Sequence, residues 1–98
     1  MNDDIAYVLL DAELRRLLEL PYSELTKLVG ASKLKEVLGE DGSSYRIYVK
    51  AIWDIARKKD VKVIVSVDDG GWRALRPLTQ NFVMRPDGSF VDEFTGGY

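Results

Sequence analysis

Valines occupy every second position from residue 61 to residue 67, which is the clearest pattern in the chain. A period of two residues is that of a β-strand, and β-branched side chains pack well on a pleated surface. Ile64 has the opposite parity, so both faces of this segment are partly apolar. The pattern predicts a central strand, with the rest of the fold built around it.

A second alternating segment, residues 45–54, precedes the central strand, and a polar loop over 54–60 joins the two. The apolar positions of this segment are Tyr45, Ile47, Val49, Ala51 and Trp53. If Trp53 lies opposite Val61, then Ile47 lies opposite Val67 and Arg46 lies opposite Asp68. Apolar residues then meet on one face and opposite charges on the other, so we expect this antiparallel register.

The dipeptide Asp69-Gly70 is a strong signal for a two-residue hairpin turn. It predicts a strand directly after the turn, with Val67 opposite Trp72, Val65 opposite Ala74 and Ile64 opposite Leu75. Pro77 has no amide proton, so it would end this strand or confine it to a sheet edge.

Two short apolar segments, 82–84 and 90–91, flank the turn-forming residues 85–89 near the end of the chain. Proline, aspartate and glycine in this order favour a tight turn. The pattern predicts a small terminal hairpin, and residues 94–98 are expected to form a flexible tail.

Leucines at helical spacing follow Asp3 and Asp4, either of which could cap a helix. We expect this helix to run to Leu20, with an apolar stripe made of Ala6, Tyr7, Leu10, Leu14, Leu17 and Leu18. Ile5, Val8 and Leu9 lie outside the stripe. Either another part of the chain covers them or a second subunit does, which makes them a candidate oligomer contact.

A shorter apolar repeat over residues 22–29 predicts a second helix, which Gly30 would end, so the first 30 residues form a helical hairpin. Residues 32–39 fit either a third helix capped by Ser32 or a strand that enters a turn at Asp41-Gly42. The strand is preferred because residues 45–54 need a partner on that side.

These elements predict one α+β domain over residues 1–98, in which an N-terminal helical hairpin packs on one face of an antiparallel meander sheet of four to five strands. The helices occupy residues 1–30 and the sheet residues 33–92. The expected core face of the sheet carries Tyr45, Ile47, Val49, Trp53, Val61, Val63, Val65, Val67 and Trp72.

Composition removes several chemistries. The chain has no cysteine and no histidine, which excludes a disulfide framework, a structural zinc site and a Ser-His-Asp triad. The acidic N-terminus is unlike a secretory signal, and no apolar run approaches the roughly 20 residues that span a bilayer. We therefore expect a cytoplasmic protein without a membrane partner, and no cofactor.

Charge is unevenly distributed although the net charge is only −2. Residues 1–45 carry five basic against nine acidic side chains, and residues 46–76 carry eight basic against four acidic ones. Asp68-Asp69-Gly70-Gly71 could place two carboxylates on a divalent cation, but Asp and Gly are favoured in turns, and a turn is the preferred interpretation. The run Arg57-Lys58-Lys59 is interpreted as a solvated turn.

The sheet face away from the core is the candidate functional surface. Basic and apolar side chains share it, and the candidate interface residues are Arg46, Tyr48, Lys50, Ile52, Lys62, Ile64, Arg73 and Leu75. A contiguous apolar patch is typical of an interface, which favours a non-enzymatic protein-interaction or self-associating module. The alternatives are a single-stranded nucleic-acid-binding domain that uses the basic residues of this face, and a small metal-dependent enzyme.

Overall fold

A computed structural model describes residues 1–71 and 76–91 of the chain. Helix α1 spans Asp3–Leu18 and helix α2 spans Tyr22–Thr26. Four strands follow: β1 at Ser32–Leu38, β2 at Ser44–Trp53, β3 at Val61–Asp68 and β4 at Leu78–Met84. The predicted α+β class is confirmed, whereas α2 contains only five residues and is much shorter than the predicted helix.

The four strands form an antiparallel sheet in the order β1-β2-β3-β4, so the predicted meander is confirmed. Residues 32–38 form a strand, which decides between the two interpretations of that segment. The predicted register of β2 and β3 is also confirmed: Trp53 lies opposite Val61, Ile47 opposite Val67, and Arg46 opposite Asp68.

The predicted partner of β3 on its other side is wrong. Val67 lies opposite Leu78, and Val65 lies opposite Gln80, so residues 78–84 occupy the place that was expected for residues 72–76. Asp68 and Asp69 do form tight turns, because their Oδ1 atoms accept hydrogen bonds from the amides of Gly70 and Gly71. The predicted pairings of Trp72, Ala74 and Leu75 with β3 are therefore wrong, and residues 72–75 themselves lie outside the described part of the chain.

Helix α1 has its cap before the predicted caps Asp3 and Asp4, and it ends at Leu18, whereas it was predicted to run to Leu20. Asn2 is its N-cap, and the Asn2 Oδ1 atom accepts a hydrogen bond from the Ile5 amide. The residues that α1 buries are Ala6, Leu10, Glu13 and Leu17, while Leu14 and Leu18 are half-buried. Tyr7 was predicted to belong to the apolar stripe, but its side chain is 51% exposed because it lies at the edge of the buried face.

Strands β3 and β4 contact α1, and β3 also contacts α2. The face of the sheet towards the helices, called the inner face, carries the valines of β3 together with Tyr45, Ile47, Val49 and Ala51, all buried. Trp53 was also expected in the core, but it ends β2 beyond the helical cover and is 44% exposed. The opposite face is called the outer face.

The predicted terminal hairpin is joined to the main sheet. Phe82–Met84 belongs to β4, and the following turn returns the chain so that Phe90 bridges to Met84 and the Val91 amide donates to the Val83 carbonyl. The hairpin therefore exists, but its first strand is the fourth strand of the main sheet. The predicted tail at 94–98 lies outside the described residues.

Candidate functional site

Strand β1 lies at one end of the sheet, and within residues 1–71 and 76–91 only β2 pairs with it. The Gly39 amide donates to the Ser43 carbonyl at 2.8 Å, which fixes the hydrogen-bonding phase of the β1–β2 hairpin. Hydrogen-bonded pairs alternate along an antiparallel ladder. Lys33, Lys35 and Val37 therefore bond to β2, while the backbone N–H and C=O groups of Ser32, Leu34, Glu36 and Leu38 point away from it. We call this row of backbone groups the β1 edge.

The outer face beside the β1 edge exposes large apolar side chains. Leu34 is 53% exposed, Leu38 is 76% exposed, and Tyr48, directly opposite Leu34, is 47% exposed. Residues that lie opposite each other in an antiparallel pair share a face of the sheet, as do residues two apart in one strand. Leu34, Leu38 and Tyr48 thus share the outer face, where the exposed Glu36 lies between the two leucines, and we call these three apolar residues the edge patch.

The structure brings most of the predicted interface residues onto the outer face. Arg46, Tyr48, Lys50 and Ile52 alternate along β2, and Lys62 and Ile64 lie opposite Ile52 and Lys50 on β3. Tyr48 and Lys50 are exposed, whereas the other four side chains are half-buried. Arg73 and Leu75 lie outside the described residues.

Acidic side chains offset the basic ones on this face. The Arg46 Nε atom donates to Asp68 Oδ1 at 2.9 Å, and Glu36 lies directly opposite Arg46 on β1. Arg46 is thus engaged by a carboxylate of its own chain. The outer face is a mixed surface of charged and apolar groups.

The candidate oligomer contact on α1 is smaller than the sequence predicts. Ile5 and Leu9 are half-buried and pack against the hydrophobic core, while Val8 is 66% exposed. Tyr7 is the exposed neighbour of Val8. The apolar surface of α1 is therefore mainly these two adjacent side chains.

Behind β1, on the inner face, lies a cavity of about 670 Å³ between the strand and the two helices. Its apolar lining includes Leu17, Leu20, Leu28, Ile47 and Val49, and its charged lining is mostly basic. We call this cavity the β1 groove. It exists because α1 and α2 lie mainly over β3 and β4, so that the inner face of β1 is covered only in part: Val37 packs against the core, while Lys33 and Lys35 are exposed.

Glu13 is the buried charge of the β1 groove, with only 5% of its side chain exposed. The Arg16 Nη2 atom lies 2.6 Å from Glu13 Oε2, and the Lys35 Nζ atom lies 2.7 Å from Glu13 Oε1. Burial raises the pKa of Glu13, but the hydrogen bonds and charges of Arg16 and Lys35 outweigh burial and hold that pKa below its ordinary value. Glu13 is therefore ionised at neutral pH and ties α1 to β1.

Two further lysines line the β1 groove. Lys27 pairs with Glu24 at 2.8 Å. Lys33 precedes Lys35 by two residues on the same face, and it has no ion-pair partner among the residues that the structure describes. The outer side of the β1 edge thus carries Leu34, Glu36 and Leu38, and its inner side carries Lys33, Lys35 and the half-buried Val37.

No cluster of three metal-ligating side chains occurs within the described ranges. Asp69, one of the two adjacent aspartates, has its Oδ2 atom 3.2 Å from the N-terminal amine of Met1. The Gly71 amide and this ammonium group lower the pKa of Asp69. Asp68 and Asp69 therefore act as hydrogen-bond and charge partners within the fold.

The sequence alone does not reveal the contribution of β1 to the site. Leu34, Leu38, Lys33 and Lys35 all lie within residues 32–39, the segment that fits either a helix or a strand. Glu13 had a detectable signal, because residues 6, 10, 13 and 17 follow the helical spacing of a buried stripe. A carboxylate at such a position requires a basic partner, but the sequence alone does not name Lys35.

No helix within the described residues is long and apolar enough to cross a membrane. No protein-family model, curated protein or solved structure matches this chain.

Proposed function

We propose that this chain is a protein-interaction domain that binds its partner at the β1 edge and the adjoining edge patch. The observation that carries this proposal is the combination of a seven-residue edge strand with exposed Leu34 and Leu38 on it. A strand edge offers unpaired backbone donors and acceptors to another chain, and exposed apolar side chains beside it add contact area.

The charges of β1 favour a different protein over a second copy of this chain as the partner. In an antiparallel pair of β1 strands centred on Lys35, the two Lys35 side chains lie opposite each other. Sliding one strand by two residues in one direction places Lys33 opposite Lys35. Sliding it by two residues in the other direction places Glu36 opposite Glu36. Like charges directly opposite destabilise a strand pair, so β1 is poorly suited to pair with itself.

Nucleic-acid binding by the outer face has weaker support. Single-stranded nucleic acids bind to several stacked aromatic rings and to unpaired cations. On the described outer face, Tyr48 is the one exposed aromatic side chain, and Arg46 is bound to Asp68.

Site-specific photo-crosslinking in cells of the source organism tests the proposal. A photoreactive phenylalanine analogue replaces Leu38, and in a matched control it replaces Ile55, which is 89% exposed in the loop between β2 and β3. We expect a discrete adduct between position 38 and one other protein, and no such adduct from position 55. Adding Leu34→Asp should abolish the adduct, because it places a charge in the edge patch.

Three results contradict the proposal: no adduct at position 38, equal adducts at both positions, or an adduct that persists in the Leu34→Asp background. An adduct between two copies of this chain contradicts the assignment of a different protein as the partner.

A further inference from the structure

The inner side of the β1 edge is built to hold carboxylates. Lys33 and Lys35 extend towards the β1 groove from alternate positions of the edge strand, and Arg16 reaches the same groove from α1. Within the groove, Lys35 and Arg16 already bind one carboxylate, that of Glu13. Since Lys33 has no carboxylate partner among the described residues, these residues satisfy the row of cations only in part.

A strand that pairs with β1 would continue its alternation of faces. Its side chains on the inner side would lie beside Lys33 and Lys35, and those on the outer side would lie beside Leu34, Glu36 and Leu38, where Glu36 disfavours a further acidic residue. Charge complementarity requires acidic residues at the first set of positions, and apolar contact favours apolar residues at the second.

We infer that the partner segment is an extended acidic peptide, with Asp or Glu alternating with apolar residues, which adds to the sheet as a fifth strand beside β1. The inference rests on the proposed function and specifies the chemistry of the partner at the same site. The backbone groups of Ser32, Leu34, Glu36 and Leu38 bind the peptide main chain, and Lys33 selects the acidic side chain.

Three probe peptides test the inference by titration at low salt. The first alternates Glu and Val over about seven residues, the length of β1. The second alternates Lys and Val, and the third is the acidic peptide with proline at two apolar positions, which removes backbone donors. We expect binding of the first peptide only, with shifts of the Leu34 and Glu36 amide signals.

Charge reversal on the protein supplies the matched control. Lys33→Glu should weaken binding of the acidic peptide by about tenfold, because it replaces an attraction by a repulsion at a cross-strand position. Lys58→Glu makes the same change of net charge on an exposed lysine of the β2–β3 loop and should leave the affinity unchanged. Circular dichroism checks that both variants remain folded.

Equal effects of the two substitutions, binding of the lysine peptide, or undiminished binding of the proline peptide would overturn the inference. So would tighter binding of an oligothymidine of similar length, since it would assign the cations to nucleic acid. If the acidic peptide does not bind but position 38 gives a specific crosslink, the acidic partner is rejected and the proposal of a protein-interaction domain stands. Failure of both experiments rejects the proposed function as well.

Discussion

At the scale of single residues, Glu13 connects the helical layer to the edge of the sheet. It is a carboxylate in a row of buried apolar positions, and two cations from different elements hold it there. Both cations keep about half of their side chains exposed, whereas Glu13 keeps 5%. Ionised Glu13 therefore stabilises the folded chain only while Arg16 and Lys35 remain in contact with it.

Replacing Glu13 by glutamine should change how the stability depends on pH. The folded-state pKa of Glu13 is lowered, so its stabilising contribution is present above the ordinary glutamate pKa of about 4.3 and is lost as the pH falls through the folded-state value. We expect Glu13→Gln to reduce the free energy of unfolding at pH 7 by about 1–2 kcal/mol and to have a smaller effect below pH ~4. Urea unfolding at several pH values measures this difference.

Glu24→Gln is the control, because Glu24 forms an exposed ion pair with Lys27. Exposed pairs of this kind contribute about 0.5 kcal/mol or less, so little pH-dependent difference from the unsubstituted chain is expected. An unchanged pH profile in Glu13→Gln would contradict the role given to the Glu13 cluster.

At the scale of elements, the β2–β3 pair was predictable and the β3–β4 pair was not. Alternation in both β2 and β3 left one register that joined apolar residues on one face and Arg46 with Asp68 on the other. After β3, the Asp69-Gly70 dipeptide predicted a strand that begins directly after the turn and pairs with β3. Asp68 and Asp69 accept hydrogen bonds there from the Gly70 and Gly71 amides, but the strand that pairs with β3 starts after Pro77. A local turn signal does not determine which later segment pairs, because pairing depends on contacts across the whole sheet.

A double-mutant cycle on Arg46 and Asp68 tests the register of β2 and β3. Their side chains are joined across the two strands at 2.9 Å and are 38% and 12% exposed. Arg46→Gln and Asp68→Asn should show a coupling energy of about 1 kcal/mol in thermal or urea unfolding. The cycle is needed because Asp68 also accepts from the Gly70 amide, so Asp68→Asn alone reports more than the ion pair.

The pair Asp11–Arg15 is the matched comparison, since both side chains are more than half exposed on one helix. Its coupling should be about 0.3 kcal/mol. If the coupling energy of Arg46 and Asp68 is no larger than that of Asp11 and Arg15, the cross-strand ion pair does not stabilise the fold as expected.

At the scale of the whole molecule, the position of the helices decides which part of the sheet is available. The helices contact β3 and β4, and the hairpin at 85–91 pairs with the end of β4. Strand β1 meets the helical layer only in part, through Val37 and the ion pair of Lys35 with Glu13, and it exposes side chains on both of its faces. The sequence predicted the class of fold and the outer residues of β2 and β3, but the uncovered edge follows from helix placement, which periodicity does not encode.

Amide hydrogen exchange of β1 in the isolated protein tests the central claim, an unpaired β1 edge, most directly. The account predicts an alternating pattern, in which the amides of Lys35 and Val37 are protected by β2 while those of Leu34, Glu36 and Leu38 exchange fast. The same fast amides should become protected when the acidic peptide binds. Uniform protection of all these amides in the free protein would contradict the account, because the β1 edge would then already be occupied.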